Sequence, residues 1–387
     1  MRFPGFEGAW EVKKLGGIMD FKVTNSFSRD NLNYENGFVK NIHYGDIHTK
    51  YQTLFDVTNE ITPYINNEIN IHRISEENYC QEGDLIFADA SEDLKDVGKS
   101  IEVINLNGEK LLSGLHTLLA RPQKNIFHLG FNGYLFKSNS VRTQIQKESQ
   151  GTKVLSINTG RISKIKLSFP NLKEQQKIAS FFCLIDQRIA TQNKIIEQLE
   201  TLIKGLYQKI FELNRFQFSI LPLKSLCTIK KGEQINASKL SETGIYYVMN
   251  GGILPSGYHS EYNSDAEIIS ISEGGNSCGY VQYNHTKFWS GGHCYTLNNV
   301  DKIIKNKYLY HYLKASENKI MALRVGSGLP NIQKSTLEKF EVTIPNLYEQ
   351  EKVVLALGSL SNKITVESKL LEQYEIQKKH LLQNLFI

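Results

Sequence analysis

Pro170-Asn171-Leu172-Lys173-Glu174-Gln175-Gln176-Lys177 and Pro345-Asn346-Leu347-Tyr348-Glu349-Gln350-Glu351-Lys352 state one motif twice, 175 residues apart. The match runs without a gap over 170–211 and 345–386. Ile189, Lys194, Glu197, Gln198, Glu200, Lys204, Leu206, Gln208 and Phe211 recur as Ile364, Lys369, Glu372, Gln373, Glu375, Lys379, Leu381, Gln383 and Phe386. Fifteen of forty-two positions are identical, more than composition produces, so the chain carries an internal repeat.

Just before each proline, apolar and polar residues alternate as in a strand: Ile165, Leu167 and Phe169, then Phe340, Val342 and Ile344. After each proline the period changes. Ile178, Phe182, Ile185, Ile189, Ile196, Leu199, Ile203 and Leu206 follow steps of four and three, with Gln192 in the one polar slot. The second copy places Val353, Leu357, Leu360, Ile364, Leu371 and Leu381 at the same positions, with Glu367 and Lys378 where the first has Gln192 and Ile203. These are heptad seams. Each predicts a helix of about 40 residues, roughly 60 Å long, and two matched seams predict an antiparallel pair.

Weaker echoes precede each copy. Ser113-Gly114-Leu115-His116 resembles Ser290-Gly291-Gly292-His293, Trp10…Leu15…Ile18 resembles Phe218…Leu223…Leu226, and Gly83–Phe87 resembles Ala266–Ser270 in pattern. Between the helices, short Val/Ile/Tyr/Phe runs alternate with Gly, Asn and Ser turns, and one amphipathic helix is expected late in each half, near 132–148 and 304–321. The expected fold is mixed α/β with a pseudo-twofold repeat. It has two globular recognition-type domains, 1–155 and 216–330, and two long antiparallel coiled-coil helices, 156–215 and 331–387.

Composition removes other classes. The 387 residues are 40% hydrophobic and 22% charged, with net charge +5. No apolar run approaches the roughly 18 residues of a membrane span, and a cytoplasmic protein is expected. Five cysteines without a C-x-x-C pair exclude zinc-ribbon and thioredoxin-type sites. Eight prolines, none adjacent to another and none followed by Asp, exclude the Pro-Pro signature of amino-methyltransferases and the commonest nuclease metal motif. Gly98-Lys99-Ser100 ends like a phosphate-binding loop, but Asp93 stands where the first glycine belongs. No His-Glu-x-x-His occurs, and His116 and His293, in apolar runs, are expected to be core histidines. No catalytic constellation and no metal site are found.

Binding chemistry remains. Lys40, Asn41, His43, Tyr44, Asp46, His48 and Lys50 crowd donors, acceptors and an aromatic into one turn-rich stretch. Lys230, Lys231 and Gln234, then Asn250, then Asn276 and Ser277 in a glycine loop, then Arg324 and Ser327, do the same in the second half. Lysine and arginine neutralise phosphates, while amides, carboxylates and imidazoles can read base edges.

Arg2-Phe3-Pro4-Gly5-Phe6-Glu7-Gly8…Trp10…Lys14-Leu15-Gly16 with the doubled Pro-Asn-Leu-x-Glu-Gln-x-Lys helix opening resembles the specificity subunit of type I restriction–modification systems, over essentially the whole chain. The resemblance implies a non-catalytic, sequence-specific DNA-binding subunit. Each recognition domain would read half of a bipartite target, and the helices would set the unread spacer. Two methyltransferase (modification) subunits and two restriction (translocase/nuclease) subunits would be the protein partners, using S-adenosylmethionine, ATP and Mg to methylate adenines and cleave DNA. The cofactors would belong to those partners, not to this chain. A coiled-coil scaffold without DNA specificity, and an autonomous methyltransferase or nuclease, are the alternative readings.

Overall fold

In a computed structural model, which describes residues 2–211, 218–326 and 328–386, the two long helices span Leu172–Phe211 and Leu347–Asn384. Each follows a strand, Lys166–Phe169 or Glu341–Pro345, as the alternation and the proline predict. The repeated motif explains both openings. Asn171 Oδ1 accepts the backbone N–H of Glu174 at 3.1 Å and Asn346 Oδ1 that of Glu349 at 2.9 Å, a side-chain cap on otherwise orphaned donors. The glutamine is a clamp. Gln175 Nε2 donates to the carbonyls of Pro170 (2.8 Å) and Ile126 (3.1 Å), and its Oε1 accepts the N–H of His128 (2.8 Å). Gln350 makes the same three bonds to Pro345, Ile303 and Lys305, at 2.9, 2.9 and 2.7 Å.

The chain packs as two compact units, Met1–Thr191 with Leu370–Ile387, and Gln192–Lys369. Each holds one half of each long helix, so this division falls inside the helices, whereas the expected divisions near 155, 215 and 330 follow changes of sequence pattern.

In the first unit a five-stranded sheet has the order Met19–Lys22, Thr117–Pro122, Leu85–Ala88, Ser100–Asn105, Leu54–Asp56, antiparallel except for the last pair. Beside it Lys110–Ser113 pairs parallel with Val39–Ile42. The second unit repeats the first four strands and the side pair, with no described counterpart of Leu54–Asp56: Thr228–Lys231, Cys294–Asn298, Ile268–Ser272, Val281–Asn284, and Trp289–Ser290 parallel to Tyr246–Met249. Strand pairing corrects one echo. Ala88 faces Thr117 and Ser272 faces Cys294, so Leu85 corresponds to Ile269, one residue beyond the sequence match. In a strand that slip exchanges the faces. The late helices are Phe131–Leu135 with Asn139–Glu148, and Asn306–Ala315 with Glu317–Met321.

Both seams are the least exposed stripes of their helices, buried at Ile178, Phe182, Gln192, Val353, Leu357 and Glu367 and half-buried elsewhere. In the first unit Phe182 stacks on Phe386 at 5.8 Å, Asp186 pairs with Lys378, and Arg188 reaches the Tyr374 hydroxyl at 3.5 Å; partner numbers fall as helix numbers rise, so the pairing is antiparallel. In the second unit Leu206, Tyr207 and Ile210 join the core of Val353 and Leu357. There the polar seam positions solve each other: the Gln192 amide donates to the carbonyl of Glu367 at 3.1 Å and to its carboxylate. The opening peptide belongs to the first core, with Arg2 Nη2 on the fully buried Glu174 at 2.8 Å and Phe3 edge-on to Phe181. Among the described residues no helix is long and apolar enough to cross a membrane.

Candidate nucleic-acid interface

In the first unit the strand Val39–Ile42 runs straight into the helix Tyr44–Thr49. His43 caps that helix, its Nδ1 accepting the N–H of Gly45 at 3.1 Å, and burial holds its pKa below the ordinary value. Asp46 is fully buried; Arg29 grips it with two bonds of 2.9 and 2.8 Å and Lys50 approaches to 3.0 Å. The hydrogen bonds that Arg29 donates to Asp46 raise its pKa, and the Tyr34 hydroxyl, ahead of Asp46, raises that of Lys50. Lys40 is buried on Glu109 at 2.9 Å and over the Tyr64 ring. Asn41 is fully buried and accepts from Asn25 at 2.7 Å.

Four expected DNA contacts are therefore corrected. Asn41 and Asp46 have no exposed surface, and Lys40 and His43 are committed to internal partners. In this turn the carboxylate of Asp46, the imidazole of His43, the Lys40 ammonium and the Asn41 carbonyl oxygen all take internal partners, since an unpaired buried polar group costs about 1–3 kcal/mol; the Asn41 amide nitrogen has none among the described residues. Tyr44, His48 and Lys50 keep exposed surface. Tyr44 is the hub, touching the rings of His43 (4.7 Å), His116 (5.3 Å) and His48 (6.2 Å). His48 Nε2 lies 3.0 Å from the Ala90 carbonyl, and its Nδ1 has no partner among the described residues.

In the second unit Lys230, Lys231, Gln234, Asn276 and Arg324 are exposed, and Asn250 and Ser277 are half-buried. Lys231 Nζ sits 2.7 Å from Glu273 Oε1, which also accepts the Tyr295 hydroxyl at 2.9 Å. Asn250 Oδ1 accepts the N–H of His293 at 3.2 Å. Ser327 lies outside the described residues. Lys231, Asn250, Glu273 and His293 are thus brought together around one strand end.

His116 and His293 are not core residues. Both rings are more than half exposed, in the turns that open Thr117–Pro122 and Cys294–Asn298. The apolar flanks hid the turns; His116 has a backbone φ of 54°, the left-handed region that ends a strand run. Sequence reasoning also missed their carboxylate neighbours, Asp89 and Glu273, although the Ser-Gly-x-His echo marked the place. Among the described residues no three His, Cys, Asp or Glu side chains are placed to hold a metal ion.

The family described as "Type I restriction modification DNA specificity domain" matches residues 7–201 and 217–375. A Methanocaldococcus jannaschii chain named for the specificity subunit of type I restriction enzyme MjaX is 24% identical over an alignment of 411 residues, covering 96% of this chain and 92% of the other. The MjaVIII specificity subunit of the same organism is 23% identical over 328, covering 74% and 75%. The solved type I restriction–modification S subunit from M. genitalium shares the fold with a TM-score of 0.64 at 17% identity, covering 100% of this chain and 99% of that one. With both halves matched by the same domain, and with a fold shared from end to end, this chain belongs to the family of type I restriction–modification DNA specificity subunits.

Proposed function

We propose that this chain reads a split DNA target, one half with each unit, and that the paired helices set the length of unread DNA between the halves. The observation that carries the reading is the duplication. Each unit has the same strand plan and the same glutamine-clamped helix opening, yet the side chains at equivalent strand ends differ, His43 and Tyr44 in one and Asn250 and Gly251 in the other. A common frame with different contact residues suits two half-sites of different sequence. Lys50, Lys230, Lys231 and Arg324 would neutralise phosphates, and Gln234, Asn250, Asn276 and Ser277 would face bases.

In this reading the chain performs no chemistry. Two modification subunits would dock on the repeated frame and transfer methyl groups from S-adenosylmethionine to adenines; restriction subunits would add ATP- and Mg-dependent translocation and cleavage. The test replaces residues 20–155 with another family member's equivalent, co-expresses the modification partner and maps methylated adenines genome-wide. One half-site should change and the other persist. A change in both would end the modular reading, and methyl transfer by the purified chain alone would end the non-catalytic one.

A further inference from the structure

The strongest unexplained feature is a histidine–carboxylate pair built twice. In the first unit the strand Leu85–Ala88 ends at Asp89, whose backbone N–H donates to the carbonyl of His116 at 3.0 Å. In the second, Ile268–Ser272 ends at Glu273, whose N–H donates to the carbonyl of His293 at 2.9 Å. The strand registers make Asp89 equivalent to Glu273 and His116 to His293. In each pair imidazole Nδ1 faces one carboxylate oxygen, His116 to Asp89 Oδ1 at 3.3 Å and His293 to Glu273 Oε2 at 4.0 Å. Each of those oxygens is buried and lacks an aligned hydrogen bond to any described residue. The same atom is left waiting in both copies.

A purely structural role explains this poorly. The carboxylates are mostly covered, 26% and 12% exposed, while the imidazoles stand out at 52% and 62%. With Nδ1 turned to the acid, Nε2 is the ring atom left for a ligand. Each imidazole lies beside its unit's candidate contact residues: Tyr44 packs on the His116 ring, and Asn250 holds the His293 N–H. Those neighbours differ between units; a histidine facing a carboxylate, Asp89 or Glu273, stands in both. What two half-sites of different sequence share is the sugar–phosphate backbone, which positions a protein without carrying sequence information.

From this we infer that His116 and His293 are equivalent phosphate-binding residues, one for each half-site, with Asp89 and Glu273 as positioning residues that aim each ring. The inference rests on the DNA-reading function above and adds to it a contact common to both halves. Burial raises the Asp89 pKa, and the facing His116 works against that rise. Tyr44 packs on the His116 ring and His43 interacts with it electrostatically; in the second unit Lys231 sits on Glu273, the acid that faces His293.

The test uses the complex of this chain with its modification partner, a duplex carrying the mapped target and a duplex with both half-sites scrambled, at about pH 6, where a free imidazole is largely protonated. His116→Gln and His293→Gln should each weaken binding to both duplexes by the same factor, about 3- to 10-fold. Each should also reduce the salt dependence by about one released counterion, and the double variant by about two. His116→Arg should restore the slope. Relaxed preference at a single base pair would make the histidine a base reader and overturn the proposal. So would an unchanged slope in the double variant, or a lowered melting temperature at constant slope. Failure of the wild-type complex to bind the target duplex would instead bring down the DNA reading itself.

Discussion

The two units share strand order, the glutamine clamp and the histidine–acid turn, and differ in how the space around those features is filled. The first unit closes its recognition segment with charge: Arg29 and Lys50 converge on the buried Asp46, and Lys40 folds onto Glu109. At the equivalent strand end the second unit has Asn250 and Gly251 instead, and its exposed polar residues, Lys230, Gln234, Asn276 and Arg324, stand on other strands and loops. The late helices contrast in the same way. In the first unit the buried Glu102 accepts the N–H groups of Gly130 (2.8 Å) and Gly133 (2.6 Å). At the position that strand pairing makes equivalent stands Tyr283, whose hydroxyl donates to Glu267 at 2.7 Å and lies 3.5 Å from the amide of Asn306. The glutamine clamp is common to both units, while the contacts made at Glu102 and at its equivalent Tyr283 diverge.

The clamp offers the harshest test of that contrast. Gln175→Ala strips partners from two carbonyls and one N–H, and Gln350→Ala does the same in the other unit. Each should cost about 2–5 kcal/mol, from unsatisfied groups at about 1–3 kcal/mol apiece, read as a shift in urea midpoint. If only one of the two is destabilising, the clamp is not a shared device.

Next in size is Asp46→Asn, which leaves Arg29 and Lys50 without their buried counter-charge. Because both cations are about half exposed, water takes up much of the loss, and about 1–2 kcal/mol is expected, below the cost of breaking a fully buried pair. The same substitution should leave reading of the second half-site untouched, which methylation mapping checks.

A pH-dependent difference follows from Glu102. Burial lifts its carboxyl from 4.5 to about 8. Between those values the folded chain keeps a proton that the unfolded chain has lost, so stability falls as pH rises, by at most about 1.4 kcal/mol per pH unit, and levels off above 8. Glu102→Gln stays neutral and should flatten that decline in urea midpoints measured from pH 5 to 8. An identical pH profile in wild type and variant would mean the carboxyl is ionised in the fold.

The smallest effect belongs to single exposed cations. Lys230→Ala or Arg324→Ala should lower affinity equally for cognate and scrambled DNA and reduce the salt slope by about one. Lys50→Ala, whose charge is spent on Asp46 and Tyr34, should change the slope less.

The helices were legible in the sequence, because a heptad seam is a local pattern and every seam position from Ile178 to Leu206 is buried or half-buried. The strands were legible as elements but not in register: Leu85 was matched one residue short of Ile269, since facing strands are fixed by long-range pairing. The interface was least legible. Arg29, which decides the fate of Asp46, lies 17 residues away and carries no motif. His116 sits among apolar residues that read as core until the turn beneath them is seen.

The meeting of Gln192 and Glu367 has an evolutionary consequence. These are the same position in the two repeats, encoded 175 codons apart, and each supplies what the other lacks inside a closed seam. A short insertion between this pair and a helix end leaves the pair itself in place, whereas one that moves Gln192 off Glu367 strands a buried amide and a carboxylate. The helix lengths open to evolution are therefore those that keep the two opposite each other and restore the apolar stripe.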